Sequence, residues 1–279
     1  GARSCWTASG AARPRPTRAR ARRRRVSLSA FFDLSDDAVA LPGRYSPEAI
    51  SRACSRAPFY VIARCTVVFL RCTDWVVSAL ARGQEAAEDP ELAVSLRKLL
   101  VDLGPSFVKL GQMLASRSDI CPPVYVAELR QLADSVEPFS REEAQMSLRS
   151  EWQALGLGAP LVDTELPEHP VAAASLSQVY RLELDGFGAV ALKIQRPGVR
   201  SQVCVDLFIF RQIASVVAGW VEGAQDVLAL VDEYASRLVD ELDFTFEARN
   251  ALEFQESARR LDLEAICTVA RPIVMLTSR

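Results

Sequence analysis

The chain has 279 residues, 49% of them hydrophobic and 24% charged, which excludes a single minimal domain and supplies enough apolar material for a sizeable core. A formal net charge of −2 hides an uneven spread: residues 1–32 hold nine arginines and no acid, leaving 24 basic against 35 acidic residues, a formal −11, in the body. So acidic a body repels nucleic acid, and no nucleic-acid partner is expected.

Residues 1–32, rich in Arg, Ala, Ser and Pro, have the composition of an organelle transit peptide, unstructured before cleavage. The alternative is a basic arm that contacts phosphates through the run Arg22 to Arg25. The first residue is Gly1, so an upstream piece is expected. Residues 33–57, with Pro42-Gly43 and Ser46-Pro47, read as a linker with short turns. Residues 58–82 are apolar, but Arg64, Arg71 and Asp74 interrupt them before the roughly 20 residues that a membrane span needs. The segment therefore reads as an amphipathic helix, packed on the domain or lying on a lipid surface, within a 33–90 linker region. Seven cysteines form no CxxC pair, and the odd count argues against a disulfide framework. No metal site is expected, and the compartment reads as reducing.

A helical extension is expected over 91–160. Its first helix, 91–103, stops at Gly104-Pro105, with Ser106 placed to cap the next. On that helix Lys109, Gln112 and Ser116 share one face while Phe107, Leu110 and Leu114 form the other. Cys121-Pro122-Pro123 breaks the chain before a helix over 124–136, and Ser140 with Glu143 makes a capping box for a helix ending near Gly156.

The pattern then turns to strands at 178–184 and 189–195, joined by the turn Asp185 to Gly188. Pro197 opens an apolar helix over 198–222, which Asp206 and Arg211 are expected to break too much for it to span a bilayer. Residues 226–260 form one long helix or two joined ones, and two short strands are expected at 267–270 and 273–277. The order of helices, strand pair, helices, strand pair is α+β.

A nucleotide site on this frame needs small groups near the phosphates, a lysine to bind them and a carboxylate to hold that lysine. Lys193 ends a Val190-Ala-Leu-Lys193 strand that would aim its ammonium at a cleft below the preceding loop. Glu247 is the candidate carboxylate; Asp243 and Glu247, four apart, would share a helix face, with Glu241 on another. Alanines in the loop Ala172, Ala173, Ala174, Ser175 keep it small but give up the positive φ that glycine allows.

Five motifs stand in one order: Lys109-Leu-Gly111-Gln112 with Ser116-Arg117-Ser118-Asp119 and Pro122-Pro123; Ala172 to Ser175; Val190 to Lys193; Gln195-Arg196-Pro197-Gly198; and Glu241-Leu-Asp243 leading to Glu247 and Asn250. In this order they resemble the UbiB/ADCK/AarF group of atypical, kinase-like proteins, with plastid members the most similar. The resemblance implies a kinase-like N-terminal lobe over 161–279, behind a KxGQ extension. It implies ATP or ADP binding by Ala172, Ala173, Ala174, Ser175, Lys193 and Glu247, and a regulatory lid of Lys109, Gly111, Gln112, Glu241 and Asp243 in which Lys109 reaches into the cleft and pairs with Glu241, so that the KxGQ helix stands where a protein substrate would dock. It also implies a chloroplast address, plastoglobules included, with the mitochondrion as alternative, and a role in prenylquinone or isoprenoid lipid metabolism. A non-catalytic nucleotide-sensing scaffold at a lipid surface is the alternative function.

The sole histidine, His169, precedes the strand pair, so the sequence contains no HxD catalytic loop, and no DFG triplet follows Glu247. No residue of this chain is therefore expected to be catalytic, the C-terminal lobe is expected to be absent, and Mg2+ is expected only with that lobe.

Overall fold

A computed structural model describes residues 39–133, 137–220, 225–267 and 269–278. Residues 1–38, including the segment 1–32 expected to be a transit peptide, lie outside them. Ten helices and a three-stranded antiparallel sheet are present among the described residues, an α+β arrangement.

The segment expected to be linker contains a helix, α1 (Pro47–Ser55). Ser46 and Pro47, expected in a turn, are its N-cap and first residue: the Ser46 hydroxyl accepts from Ala49 N, and the fixed φ of proline suits the first helical position. Helix α2 (Pro58–Arg82) follows the expected bounds but is apolar on two sides. Its inner side packs through Cys65, Val68, Cys72 and Trp75, whereas Phe59, Ile62, Phe69 and Leu80 point outward. Helix α3 (Pro90–Leu103) is capped by Asp89, whose carboxylate is held below its ordinary range by the amides of Leu92 and Glu91 and by Arg82. Helix α4 (Pro105–Ala115) is capped not by Ser106 but by Gly104, whose φ of 102° lies where glycine is free and other residues are strained. The helix expected over 124–136 is α5 (Pro123–Leu129) followed by a 3-10 turn, Arg130–Ala133; residues 134–136 lie outside the described residues. Ser140 and Glu143 form the capping box of α6 (Arg141–Ala154), and a short helix α7 (Ala159–Val162) follows.

Half of the alanine loop is a strand. β1 (Ala172–Ala173) pairs with β2 (Ser177–Leu184), which pairs with β3 (Gly188–Gln195), giving the order β1-β2-β3. Gly186 and Gly188, at φ 82° and 73°, make the tight connection. Along β2 burial alternates: Gln178, Tyr180, Leu182 and Leu184 face inward onto Trp152, Leu148 and Phe139, whereas Arg181 and Glu183 face out. The sheet is thus covered on one face and open on the other.

Helix α8 (Val199–Trp220) is the axis of the larger core, packed against α1, α4, α9 (Gln225–Glu241) and α2. By length and hydropathy it could cross a membrane, as could α1 with Pro58–Glu88 taken together despite a 105° bend. In the first half of α8 that apolarity serves packing, since Val203, Cys204, Val205 and Leu207 are all 1% exposed or less, whereas Ile213, Val216 and Val217 farther along are exposed. Asp206, which interrupts the apolar run, is fully buried and takes Arg64 in a two-pronged ion pair at 2.8 and 3.0 Å; Arg64 also donates to Leu103 O at 2.6 Å. Burial pushes the Asp206 carboxyl up, against the pull of Arg64.

The stretch 226–260 forms two helices, α9 and α10 (Phe244–Arg260), which break at Leu242-Asp243. Strands do not form at the expected 267–270 and 273–277 among the described residues; a 3-10 turn, Val274–Leu276, stands there instead. Alternating side chains make a strand only if a neighbour completes the ladder. Here Pro272 offers no amide, and Leu276 N and Thr277 N bond locally to Ile273 O and Val274 O.

Candidate functional site

Three positions in register define the open face of the sheet. Ala172 pairs with Val179, and Val179 with Lys193, so all three side chains leave the same face along one row. At about 4.8 Å per strand, Lys193 stands roughly 10 Å from the alanine strand. This is the face that α6 does not cover.

Lys193 Nζ donates to Glu247 Oε2 at 2.6 Å and lies 4.8 Å from the centre of the Phe244 ring. Both partners belong to the first turn of α10, whose start is fixed by Asp243. The Asp243 carboxylate accepts from the amides of Thr245 and Phe246 at 3.0 and 3.4 Å. Asp243 is the buried cap and Glu247 lies one turn into the helix, its amide bonded to Asp243 O at 3.3 Å, whereas Glu241 ends the helix before. A cleft of about 1560 Å³ runs along the outer edge of β3, bounded by Lys193, Arg196, Phe244, Glu247 and residues 269–278. It is larger than the roughly 300–1,000 Å³ of a usual small-molecule pocket. The cleft offers an ammonium for the phosphates of a nucleotide and ample volume, but none of Ala172 to Ser175 lines it, since β1 is the strand at the opposite edge of the sheet from β3.

The alanine strand is tied at its base. Ala174 N donates to Ser177 O at 2.8 Å, and Arg196 N to Leu176 O at 2.8 Å. The Arg196 guanidinium donates to Ser175 O at 3.3 Å and Glu137 O at 3.0 Å, and packs 5.0 Å from the centre of the Phe139 ring. Burial pulls this guanidinium below its ordinary pKa. Arg196 was legible as part of Gln195-Arg196-Pro197-Gly198, but the sequence assigns it no role; its partners lie 21 and 59 residues away. Gln195 and Arg200 in turn hold Leu242 O at 2.9 and 3.1 Å, which fixes the junction between α9 and α10 to the end of β3.

On the other side of that junction, Lys109 of α4 forms an ion pair with Glu241 of α9. Gly111 lets α4 approach its neighbours closely, since a Cβ there would meet Leu132 and Leu100. Gln112 donates to Leu132 O at 3.1 Å, and Arg117 grips Asp119 at 2.8 and 2.7 Å, holding that carboxyl below its usual range. Between α4 and α9 lies a second cavity of about 500 Å³, lined by Lys109, Gln112, Arg117, Glu233 and Glu241 among others. Lys109 and Glu241 border this cavity and not the cleft at Lys193. The sequence-derived residues thus fall into two groups, one on each side of Leu242-Asp243.

Comparison with known proteins adds to this geometry. Residues 131–275, just over half the chain, match the ABC1 atypical kinase-like domain. An uncharacterised aarF domain-containing protein kinase, chloroplastic, of Arabidopsis thaliana is 37% identical over 231 residues, covering 81% of this chain and 33% of that protein. Protein Activity of BC1 Complex Kinase 3, chloroplastic, from the same plant is 35% identical over 235 residues, 80% of this chain and 32% of its own length. A probable protein kinase UbiB of Vibrio cholerae is 34% identical over 207 residues, 71% and 37% respectively. The chain spans about a third of the length of these relatives.

Proposed function

The chain belongs to the ABC1 atypical kinase-like family, and from that membership we propose that it forms the nucleotide-gripping part of an ATP-binding atypical kinase or ATPase. The carrying observation is the Lys193–Glu247 bond on the open face of the sheet, in the row of the alanine strand. Lys193 neutralises phosphate charge and Glu247 holds its ammonium in place, while Ala172 to Ser175 keep the far edge of the sheet small. ATP or ADP, when bound, supplies the phosphoryl group; the residues of this chain bind and orient it. A catalytic base and the Mg2+ ligands belong, in this reading, to the part of the longer relatives that the chain does not span.

In the same reading, residues 161–279 are the N-terminal lobe and 91–160 the KxGQ extension, a lid latched by Lys109 and Glu241. The names of the relatives support a kinase and a chloroplast address. Prenylquinone or isoprenoid lipid metabolism is the process we assign to it, on the motif resemblance to the UbiB group. The test is ATP hydrolysis and phosphotransfer by the full-length protein beside its Lys193→Ala variant. Turnover at least tenfold above the variant supports the reading; turnover equal to the variant contradicts it.

A further inference from the structure

Among the described residues the outward side of α2 is an unpartnered apolar face with a coiled-coil spacing. Phe59, Thr66, Thr73 and Leu80 recur every seven residues, and Ile62, Phe69 and Val76 fall between them, so the steps alternate three and four. Phe59, Phe69 and Leu80 are 87%, 71% and 75% exposed. The two threonines do not break the apolar character. Thr66 Oγ1 donates to Ile62 O at 2.8 Å and Thr73 Oγ1 to Phe69 O at 2.7 Å, which turns both hydroxyls back to the helix and leaves methyl groups outward. Leu70 and Val77 widen the stripe. Taking about 150–250 Å² for a large side chain, these exposures leave on the order of 800 Å² of apolar surface. That exceeds the roughly 300–600 Å² of the largest patch on a typical monomer and equals the about 800 Å² that each partner gives to a standard interface.

We propose that this face pairs with α2 of a second copy of the chain, antiparallel, about a two-fold axis at Arg71. In that register Ile62 meets Leu80, Thr66 meets Val76 and Phe69 meets Thr73, each layer occurring twice, and neither threonine opposes another. A parallel pairing would stack Thr66 on Thr66 and Thr73 on Thr73. Two other occupants fit less well. A helix lying on lipid carries Lys and Arg on its solvent side, whereas the side of α2 opposite the stripe is packed: Arg64 is spent on Asp206, and Trp75 donates to Leu92 O at 3.1 Å. The body behind it is formally −11, which disfavours an anionic surface. Residues 1–32, with nine arginines, have no apolar run to lay on the stripe.

The test uses the intact chain in analytical ultracentrifugation at micromolar concentration. Wild type sediments as a dimer. Ile62→Glu and Leu80→Lys each halve the mass, because a charge then faces an apolar residue in two layers. Mixed in equal amounts, the two variants regain the dimer, since the carboxylate introduced in one copy faces the ammonium introduced in the other, while Ile62 and Leu80 pair as before in the remaining layer. Both substitutions lie on an exposed face, so far-UV circular dichroism of each matches wild type; Thr66→Glu with Val76→Lys tests the same register if either unfolds. A wild type that stays monomeric overturns the proposal, as does a mixture that stays monomeric. A wild type that is monomeric alone and associates only with phosphatidylcholine vesicles also overturns it, in favour of lipid. None of these readouts involves nucleotide, so failure here leaves the kinase reading untouched.

Discussion

Gly111 shows how a single atom sets the place of a helix. A methyl group at this position would collide with the end of Leu132 and come within 2.8 Å of that of Leu100, two side chains buried in the core that would have to shift. Replacing glycine with alanine gains about 1 kcal/mol of helix propensity, but overpacking a core costs about 1–3 kcal/mol. Gly111→Ala is therefore expected to destabilise the chain by about 1 kcal/mol net, read as a lower urea midpoint at unchanged slope. A stabilised variant would mean that α4 sits farther from α3 and from the 3-10 turn after α5. The glycine was legible as part of a motif, but its reason was not, because Leu100 and Leu132 are contacts of tertiary packing.

Asp206 is the reverse case, a residue that in the sequence only interrupts an apolar run. It is fully buried and answered by Arg64, 142 residues earlier. No periodicity could reveal a partner at that separation. Asp206→Ala leaves a guanidinium only 13% exposed without its carboxylate, a loss of about 3–5 kcal/mol. Arg64→Met with Asp206→Leu should cost much less than that single change, as measured by denaturant unfolding of both; equal costs would show that the pair is not coupled.

Among the elements, those written in local chemistry were legible. The hairpin β2–β3 followed from alternation and two turn glycines, and α6 from its capping box, because each signal lies within a few residues of its effect. Helix α1 was not, because Ser46-Pro47 suits a turn as well as a helix start, and only packing decides between them. The strands expected near the end did not form, since a strand is completed by a neighbour and not by its own sequence. The candidate site was legible as a set of residues, but its division into two groups was not. That depends on the break at Leu242-Asp243, where a buried aspartate caps α10.

The same break bears on the lid. Lys109 and Glu241 pair across α4 and α9, with side chains 24% and 44% exposed. A pair this open to water is worth about 1 kcal/mol or less, well under the cost of breaking a buried one. Lys109→Ala and Glu241→Ala should each cost up to about 1 kcal/mol, and the double variant less than their sum. Strict additivity in urea unfolding would show that the pair does not act as a latch.

At the scale of the whole molecule, a small sheet and a larger helical core meet where β3 hands the chain to α8. The covered face of the sheet builds the smaller core with α6. Its open face presents Lys193 to a cleft walled by α10, and Gln195, Arg196 and Arg200 fasten that cleft to the helical junction and the alanine strand. Fold and ligand chemistry thus converge on one ammonium. Titration calorimetry of the intact chain with ATP and with ADP, wild type beside Lys193→Ala, tests this most directly. The account predicts saturable binding by wild type and at least a tenfold loss of affinity in the variant, with thermal unfolding shifted little because Lys193 is only half-buried. Equal affinities for the two proteins would contradict it.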